Sequence, residues 1–416
     1  MKSTILACIF LLAASAFGQA WDVEQMDSTA LDGTPVELAK ASDGRLWACY
    51  QTTGGFVRVA CLGDSGWQTT DVAPGIIDNI WRPVMAAGPD GELCISCWTN
   101  DSAPYGWLYR MVGDTWQGEP YPFMSQCPFA MVAYDTAGRL HTAFVENVVD
   151  FWAGEETDSG WTASLVVTLP VTGWYYGNAA SFTVAADGSP WYFAYTWWQM
   201  SQHVFGEDAA LMRFRGGTWT DVWDWGAWGA AVPLAIVPHG DTVGYVCIGY
   251  GVLLCDSDTF AYTSNNTVAG LAYNAEDAPL VAYVPRYEAV PVFASKTNRW
   301  HTEAIPGPAG TGGIDIETDA LGRPVIVYAT PGSGLWCAVG TDVVGTKESS
   351  IVDLRLTNGG ATVLGGAASL KRDASSTFYD ATGRRVTEPK AGVYFLREPV
   401  AGSSEQYRVR KVIVTR

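Results

Sequence analysis

The chain has 416 residues, 48% of them hydrophobic and only 16% charged, with 45 glycines, and this composition predicts a globular protein of strands and tight turns rather than helices. Residues 21–346 hold 12 Lys and Arg against 36 Asp and Glu, whereas residues 347–416 hold 12 against 7, so two domains are expected. The acidic body argues against nucleic acid as a partner, because phosphate binding needs a basic face. The alternative explanation of the acidity is that it only keeps a large secreted protein in solution.

Residues 1–20 have the three parts of a secretory signal peptide. Lys2 gives the positive start, Ile5 to Ala14 form a short apolar core, and Gly18-Gln19-Ala20 offers the small residues of a cleavage site. Lipidation at Cys8 is the alternative, although Cys8 precedes a complete apolar core. The apolar run is too short to span a bilayer, so we expect cleavage after Ala20 and an exported chain without a transmembrane segment.

One segment type recurs along the chain: an apolar strand, a turn containing Asp and Gly, and a second strand that ends in an aromatic residue. Six copies are clear and one is weaker. They span Val36–Tyr50, Val84–Trp98, Met131–Phe144, Phe182–Tyr195, Leu271–Tyr283 and Ile314–Tyr328, with the weaker copy at Leu234–Tyr250. Because Asp-Gly supplies the positive φ angles of tight hairpin turns, each copy is a predicted β-hairpin.

Most copies are followed by a third apolar strand and then by a fourth strand that opens with an aromatic residue. These fourth strands begin at Trp67, Trp116, Trp161, Trp219, Phe260 and Trp300. The last copy has no fourth strand of its own, but Trp21 opens one 46 residues before Trp67. This pattern predicts an all-β fold over residues 21–346, a seven-bladed β-propeller whose N-terminal strand closes the last blade. It resembles bacterial propellers with sialidase-like or lectin-like blades, and we expect the recurring aromatic residues to pack between blades.

The exported region contains eight cysteines, and export permits disulfides. Cys49 with Cys61, and Cys247 with Cys255, fall on adjacent predicted strands, so each pair is a candidate for a cross-strand disulfide, and packing of buried thiols explains these cysteines at least as well. No metal or other cofactor is predicted, because the four histidines lack ligand spacing. The acidic turn at Asp256-Ser257-Asp258 is the candidate for calcium, and a solvated acidic loop is its alternative.

Eight of the 19 tryptophans fall between residues 174 and 228. Trp191 and Trp219 occupy blade positions and are predicted core residues. The others fall in segments expected to join strands, where aromatic side chains can stack on a sugar or contact a protein. The candidate ligand-binding residues are Trp174, Tyr175, Tyr176, Trp197, Trp198, Trp223, Trp225 and Trp228. The alternative is a larger blade 4 that buries these side chains against its neighbours.

No catalytic constellation accompanies the predicted fold. A sialidase needs an arginine cluster, a tyrosine nucleophile and a carboxylate, but several arginines here follow the Asp-Gly turns and repeat with the blades. A nucleophile elbow, a phosphate-binding loop and a His-Glu metal helix are also absent from the sequence. We therefore predict a binding or adhesion module for a glycan or protein ligand. A secreted glycoside hydrolase and a purely structural surface protein are the alternatives.

Residues 347–416 are predicted to form a small antiparallel β-sandwich. Phe378 to Val386 (FYDATGRRV) is followed by Ala391 to Arg397 (AGVYFLR) and by a terminal Arg410 to Arg416 (RKVIVTR). This pattern resembles the type IX secretion C-terminal sorting domain of Bacteroidetes. The match is carried by Tyr379, Asp380, Gly383, Arg384, Gly392, Tyr394, Arg397, Lys411 and Arg416. The resemblance implies export through the periplasm by the type IX machinery, to the medium or the outer-membrane surface of a Gram-negative bacterium. An unrelated β-sandwich is the alternative.

Overall fold

The computed structural model consists of strands and turns. It describes residues 20–63, 66–72, 80–99, 106–123, 130–146, 149–169, 174–201, 204–222, 232–249, 252–256, 258–262, 267–285, 289–310, 312–332, 334–341, 362–365, 377–379, 385–386, 392–399 and 407–415. Within these ranges no helix is long and apolar enough to cross a membrane. The predicted signal peptide lies outside them, apart from Ala20. The chain divides into two compact units, Met1–Gly345 and Thr346–Arg416.

Seven four-stranded antiparallel sheets form the first unit, and each is one blade of a β-propeller. An N-terminal strand, β1 (Trp21–Asp27), precedes the blades. Blade 1 comprises β2 (Glu37–Lys40), β3 (Leu46–Gln51), β4 (Val57–Gly63) and β5 (Gly66–Asp71). Blade 2 comprises β6 (Ile80–Ala87), β7 (Leu93–Thr99), β8 (Gly106–Val112) and β9 (Thr115–Pro120). Blade 3 comprises β10 (Ala130–Tyr134), β11 (Leu140–Glu146), β12 (Asp150–Thr157) and β13 (Gly160–Thr168).

The remaining blades follow in chain order. Blade 4 comprises β14 (Trp174–Val184), β15 (Pro190–Ser201), β16 (Val204–Arg215) and β17 (Thr218–Asp221). Blade 5 comprises β18 (Val232–His239), β19 (Thr242–Gly249), β20 (Val252–Cys255) and β21 (Asp258–Tyr262). Blade 6 comprises β22 (Val268–Tyr273), β23 (Pro279–Val284), β24 (Val292–Lys296) and β25 (Trp300–Ala304). Blade 7 contains β26 (Ile314–Thr318), β27 (Pro324–Ala329) and β28 (Leu335–Gly340).

Blade 7 is completed by the N-terminal strand, in the order β1-β28-β27-β26. Trp21 lies opposite Gly340 and Asp27 opposite Leu335 in the antiparallel register. The predicted seven-bladed propeller and its ring closure are therefore confirmed. Closure matters physically because a blade cannot bury both of its faces alone, so each blade depends on two neighbours.

Seven hydrophobic clusters fill the seven interfaces between adjacent blades, including the interface of blade 7 with blade 1. The recurring aromatic residues belong to these interfaces, as predicted. Trp300 stacks on Phe260 of the preceding blade with ring centroids 4.7 Å apart, and Trp21 meets Phe293 edge to face at 5.2 Å. Aromatic contacts of this kind stabilise a fold by more than the burial of their apolar area alone, so the repeated tryptophan holds one blade to the next.

The antiparallel strand order gives the propeller two different faces. Turns between first and second strands, and between third and fourth strands, lie on one face, which we call the turn face. Turns between second and third strands, together with the connections between blades, lie on the opposite face, which we call the loop face. The Asp-Gly turns therefore all belong to the turn face, and the ends of the blade-to-blade connections meet on the loop face.

Neither candidate disulfide is formed, and the described cysteines are free thiols. Cys247 packs in the cluster between blades 4 and 5, whereas Cys255 packs in the cluster between blades 5 and 6, so the two thiols face opposite sides of one sheet. Cys49 lies opposite Val59 rather than Cys61, two positions away in the register of β3 with β4. Because disulfide geometry requires close, facing Cβ atoms, neither pair can form without moving the backbone.

The second unit contains one five-stranded sheet with the order β29-β33-β32-β30-β31. Its strands are β29 (Thr362–Gly365), β30 (Thr377–Tyr379), β31 (Arg385–Val386), β32 (Gly392–Pro399) and β33 (Tyr407–Thr415). β29 runs parallel to β33, and the other pairs are antiparallel. The described residues of this unit therefore form a single mixed sheet in place of the predicted antiparallel sandwich. Tyr379 lies in β30, Gly392, Tyr394 and Arg397 in β32, and Lys411 in β33, while Asp380, Gly383, Arg384 and Arg416 lie outside the described residues.

Candidate functional site

Blade 4 differs from the other blades in the length of its strands. β14, β15 and β16 have 11, 12 and 12 residues, whereas the next longest strand of the propeller, β13, has 9. The additional residues extend the sheet at its loop-face end. We call this extension the blade-4 ribbon, which consists of residues 174–178 of β14, 196–201 of β15 and 204–208 of β16.

Aromatic residues occupy neighbouring register positions of the blade-4 ribbon. Trp198 lies opposite Tyr175, Trp197 lies opposite Gly177, and Tyr176 falls at the irregularity between these two pairs. Trp174, one position further out, lies opposite a glutamine of β15. The ribbon therefore brings five of the eight predicted ligand-binding residues together on two adjacent strands.

The repeat pattern predicted that these five residues lie in segments joining strands, and this is wrong. They lie within strands, because the antiparallel pairing of β14 with β15 continues past the repeated segment. Aromatic side chains favour the pleated backbone, which accounts for the continuation. The other three candidates, Trp223, Trp225 and Trp228, lie outside the described residues.

The two tryptophans predicted to belong to the core do so. Trp191 is only 6% exposed, and the Arg213 guanidinium lies 5.1 Å from the centre of its ring. Trp219 packs against the cluster between blades 3 and 4, and its indole N–H donates a hydrogen bond of 3.2 Å to Ser164 Oγ. Two of the eight clustered tryptophans are thus committed to packing.

Two polar side chains lie where the ribbon joins the blade. Thr196 of β15 is opposite Asp208 of β16, so both side chains lie on the same face of the sheet. Thr196 is fully buried, and its hydroxyl has no hydrogen-bond partner among the described residues. Asp208 is half-buried and accepts a 3.0 Å hydrogen bond from the Ala209 N–H. Burial raises the pKa of Asp208, and repulsion from Asp221 adds to the shift.

A second concave region lies on the propeller axis. The seven innermost strands, β2, β6, β10, β14, β18, β22 and β26, line a central cavity of about 430 Å³. Its charged lining comes only from blades 1 and 7 among the described residues and consists of Glu37, Lys40, Asp315 and Glu317. The repeat pattern does not single out these residues. Their signal is the acidic alternation Ile314-Asp315-Ile316-Glu317, in a position where the other copies carry mainly apolar or small residues.

The charged groups of the central cavity are engaged by the protein itself. Asp315 accepts hydrogen bonds from the Leu38 N–H at 2.7 Å and from its own neighbour, the Ile316 N–H, at 2.8 Å. Burial, with Glu37 nearby, raises the pKa of Asp315 well above its usual range. Lys40 Nζ donates to Thr318 Oγ1 and to a main-chain carbonyl. This arrangement joins blade 7 to blade 1, so the blade-4 ribbon is the better candidate for a ligand site.

The arginines do not converge on a common site. Ten of the twelve cationic side chains in residues 21–346 are described, and eight of these bind acceptors of the propeller. The eight are Lys40, Arg45, Arg58, Arg110, Arg139, Arg213, Lys296 and Arg323. Arg139 and Arg323 each bind the Asp four residues earlier in their own turn, which explains why arginines repeat with the blades. The described residues therefore contain no cluster of free arginines of the kind a sialidase needs.

The candidate calcium turn at residues 256–258 is not accompanied by a set of metal ligands among the described residues. No three His, Cys, Asp or Glu side chains there are grouped so that they could hold a metal ion. Asp256 accepts hydrogen bonds from the Tyr273 hydroxyl at 2.6 Å and the Tyr245 N–H at 3.0 Å, and Asp258 pairs with Lys296. These carboxylates thus stabilise the interface of blades 5 and 6.

Comparison with known proteins does not place the chain in a family. No family model matches it, and no curated protein does. Similar solved structures include AofleA from Arthrobotrys oligospora, at 12% identity over 78% of this chain and 88% of that chain with a TM-score of 0.47. The lectin of Aleuria aurantia, described as a six-bladed β-propeller with a fucose recognition mode, has 10% identity over 77% and 100% with a TM-score of 0.41. YCF48 bound to D1 peptide has 13% identity over 78% and 98% with a TM-score of 0.46. At such identities no binding residue is carried over to this chain.

Proposed function

We propose that this protein is a carbohydrate-binding module whose ligand site is the blade-4 ribbon. The proposal is carried by one observation, the extension of three strands beyond the blade with aromatic residues at five neighbouring positions. Aromatic rings offer a large apolar surface together with a polar edge, and they lose little conformational entropy on binding. Strands hold such rings more rigidly than loops do, which favours recognition.

The strand pairing supports a role for the ribbon beyond the repeated blade. The pairing of β14 with β15, and of β15 with β16, continues towards the loop face past the length that the blades share. No other described strand of the propeller is longer than the nine residues of β13. The repeat itself does not need such an extension, and aromatic residues outside a shared scaffold are typical of binding sites.

The test is a glycan-array screen of the full chain beside a Trp197→Ala/Trp198→Ala double variant. We expect the wild-type protein to bind a defined set of glycans, and we expect the double variant to lose at least about 100-fold in affinity. Each aromatic anchor at the centre of a binding site contributes on the order of 2 kcal/mol. The affinity for the best glycan is then measured by isothermal titration calorimetry.

Trp161→Ala supplies the matched control, because Trp161 is a half-buried tryptophan on the outer strand of blade 3. This variant is expected to unfold at a lower urea concentration and to bind the same glycans. If the wild-type chain binds no glycan on the array, or if the double variant binds as tightly as wild type, the proposed function is wrong.

We further propose that the protein is exported through the type IX route to the cell surface or the medium. The proposal is supported by the signal-peptide pattern of residues 1–20 and by the sorting-domain motifs of the last 70 residues. Deletion of residues 347–416 is expected to leave the propeller in the periplasm when the gene is expressed in a bacterium with this machinery. Cell fractionation and immunoblotting provide the measurement, and normal surface delivery of the truncated chain would refute the route.

A further inference from the structure

We propose that Asp208 is the polar anchor of the ribbon site, with Thr196 beside it, and that the ligand is an uncharged glycan whose hydroxyl groups donate to the Asp208 carboxylate. This inference rests on the proposed function. It adds the residue that orients the ligand and the charge class of the ligand itself.

Asp208 has fewer hydrogen-bond and ion-pair partners among the described residues than other partly or fully buried carboxylates of the propeller. Asp27 pairs with Arg58, Asp135 with Arg139, and Asp319 with Arg323, and each of these also accepts backbone N–H groups. Asp208 accepts only the N–H of Ala209, and no cation pairs with it among the described residues. A half-buried carboxylate with spare acceptor capacity needs an explanation, and a ligand that supplies donors is one.

Thr196 is an independent second observation at the same place. Its hydroxyl is fully buried, and no described residue forms a hydrogen bond with it, although buried polar groups are nearly always hydrogen-bonded in folded proteins. Thr196 lies directly opposite Asp208, and it immediately precedes Trp197 and Trp198 in β15. Two polar groups with unused hydrogen-bonding capacity among the described residues therefore adjoin the aromatic positions of the ribbon, as expected of a site with a few polar groups among aromatic residues.

The distribution of charge on the propeller favours a neutral glycan over a negatively charged one. The propeller carries 24 more acidic than basic residues, and most of its described cations are already paired. Among the described residues, two exposed arginines have no ion pair. Arg215 ends the third strand of blade 4 and Arg299 follows the third strand of blade 6, so both lie on the turn face, away from the ribbon. A sulfated or sialylated glycan would bring its negative charge close to Asp208, with which no cation pairs among the described residues, and juxtaposed like charges repel each other. Neutral sugars instead carry neighbouring hydroxyl groups, and these can donate hydrogen bonds to a carboxylate.

The experiment uses the full chain on an array of neutral glycans paired with their sulfated and sialylated counterparts. The variants are Asp208→Asn and Thr196→Val, with Asp71→Asn on the loop-face end of blade 1 as the control. We expect binding to neutral glycans only, weakened about 10- to 100-fold by Asp208→Asn and about 3- to 10-fold by Thr196→Val. The control is expected to bind like wild type.

Urea unfolding of the free protein separates a binding role from a structural one. Without ligand, Asp208→Asn relieves a buried charge and Thr196→Val removes an unpaired hydroxyl, so both variants are expected to be at least as stable as wild type. Loss of binding without loss of stability supports the inference. Binding of Asp208→Asn within twofold of wild type, or binding of wild type to charged glycans alone, would overturn it while leaving the proposed function intact. Failure of wild type to bind any glycan overturns both.

Discussion

Replacing Asp27 with alanine is expected to lower the free energy of unfolding of the propeller by about 3 kcal/mol. Asp27 is the last residue of β1, the strand that closes the ring. Its carboxylate accepts hydrogen bonds from the Tyr50 hydroxyl at 2.7 Å and from Arg58 Nη1 at 3.0 Å, and both partners belong to blade 1. The side chain also binds the N–H and hydroxyl of Thr29.

The size of the effect follows from what the substitution leaves behind. Tyr50 is fully buried, and its hydroxyl would lose its acceptor, while the mostly buried Arg58 would lose its more shielded carboxylate. An unpaired buried donor bears the full penalty of its lost hydration. The folded pKa of Asp27 is lowered, because hydrogen bonds from Tyr50, Thr29 and Arg58 outweigh its burial. Its stabilisation is thus present above the unfolded pKa of 3.8 and is lost as the pH falls through the folded pKa.

Urea unfolding followed by tryptophan fluorescence at pH 7 measures this effect. Asp71→Ala is the matched control, since Asp71 binds the same arginine but its side chain is 41% exposed. We expect this control to lose less than about 1 kcal/mol, as exposed ion pairs do. Equal unfolding midpoints for the two variants would show that the contact between β1 and blade 1 does not stabilise the closed ring.

The fold could be predicted from the sequence because its information is local and repeated. The spacing of Trp21 before Trp67 matched the blade period, and the last copy lacked a fourth strand, which together predicted ring closure. The Asp27 network was not predictable in this way. Its partners Tyr50 and Arg58 become neighbours of Asp27 only when the ring closes, and no repeat period encodes a contact that occurs once.

The errors at the site and at the cysteines have a common physical cause, strand register. An antiparallel strand reverses its facing side with every residue, so a one-residue difference decides whether Cys247 and Cys255 face each other or opposite interfaces. Likewise, the repeat fixes the length that every blade shares but not the point at which the pairing of β14 with β15 ends. The aromatic cluster was found from the sequence, whereas Asp208 and Thr196 were missed because their adjacency depends on the pairing of β15 with β16.

Substituting Gly313 with alanine is expected to destabilise the propeller by about 3 kcal/mol, at the upper end of the usual effect of an overpacked site. Gly313 immediately precedes β26, where blade 7 approaches blade 1. A methyl group at this position would lie 2.0 Å from the Thr34 carbonyl oxygen and 2.9 Å from the Val36 nitrogen. Both atoms are backbone, so no side-chain rotation relieves the clash.

The backbone of blade 1 cannot easily retreat from such a methyl group. Thr34 is almost fully buried, its N–H donates to the Leu31 carbonyl, and its hydroxyl accepts a 3.0 Å hydrogen bond from the Gln51 N–H. Moving it would break these bonds or separate blade 7 from blade 1. The control is Gly63→Ala, because a methyl group there meets no atom of the described residues closer than 3.9 Å, and its effect is expected to stay within about 0.5 kcal/mol. The measurement is the urea concentration at the unfolding midpoint of each glycine variant. If both midpoints match that of wild type, the close approach of blades 7 and 1 does not constrain residue 313.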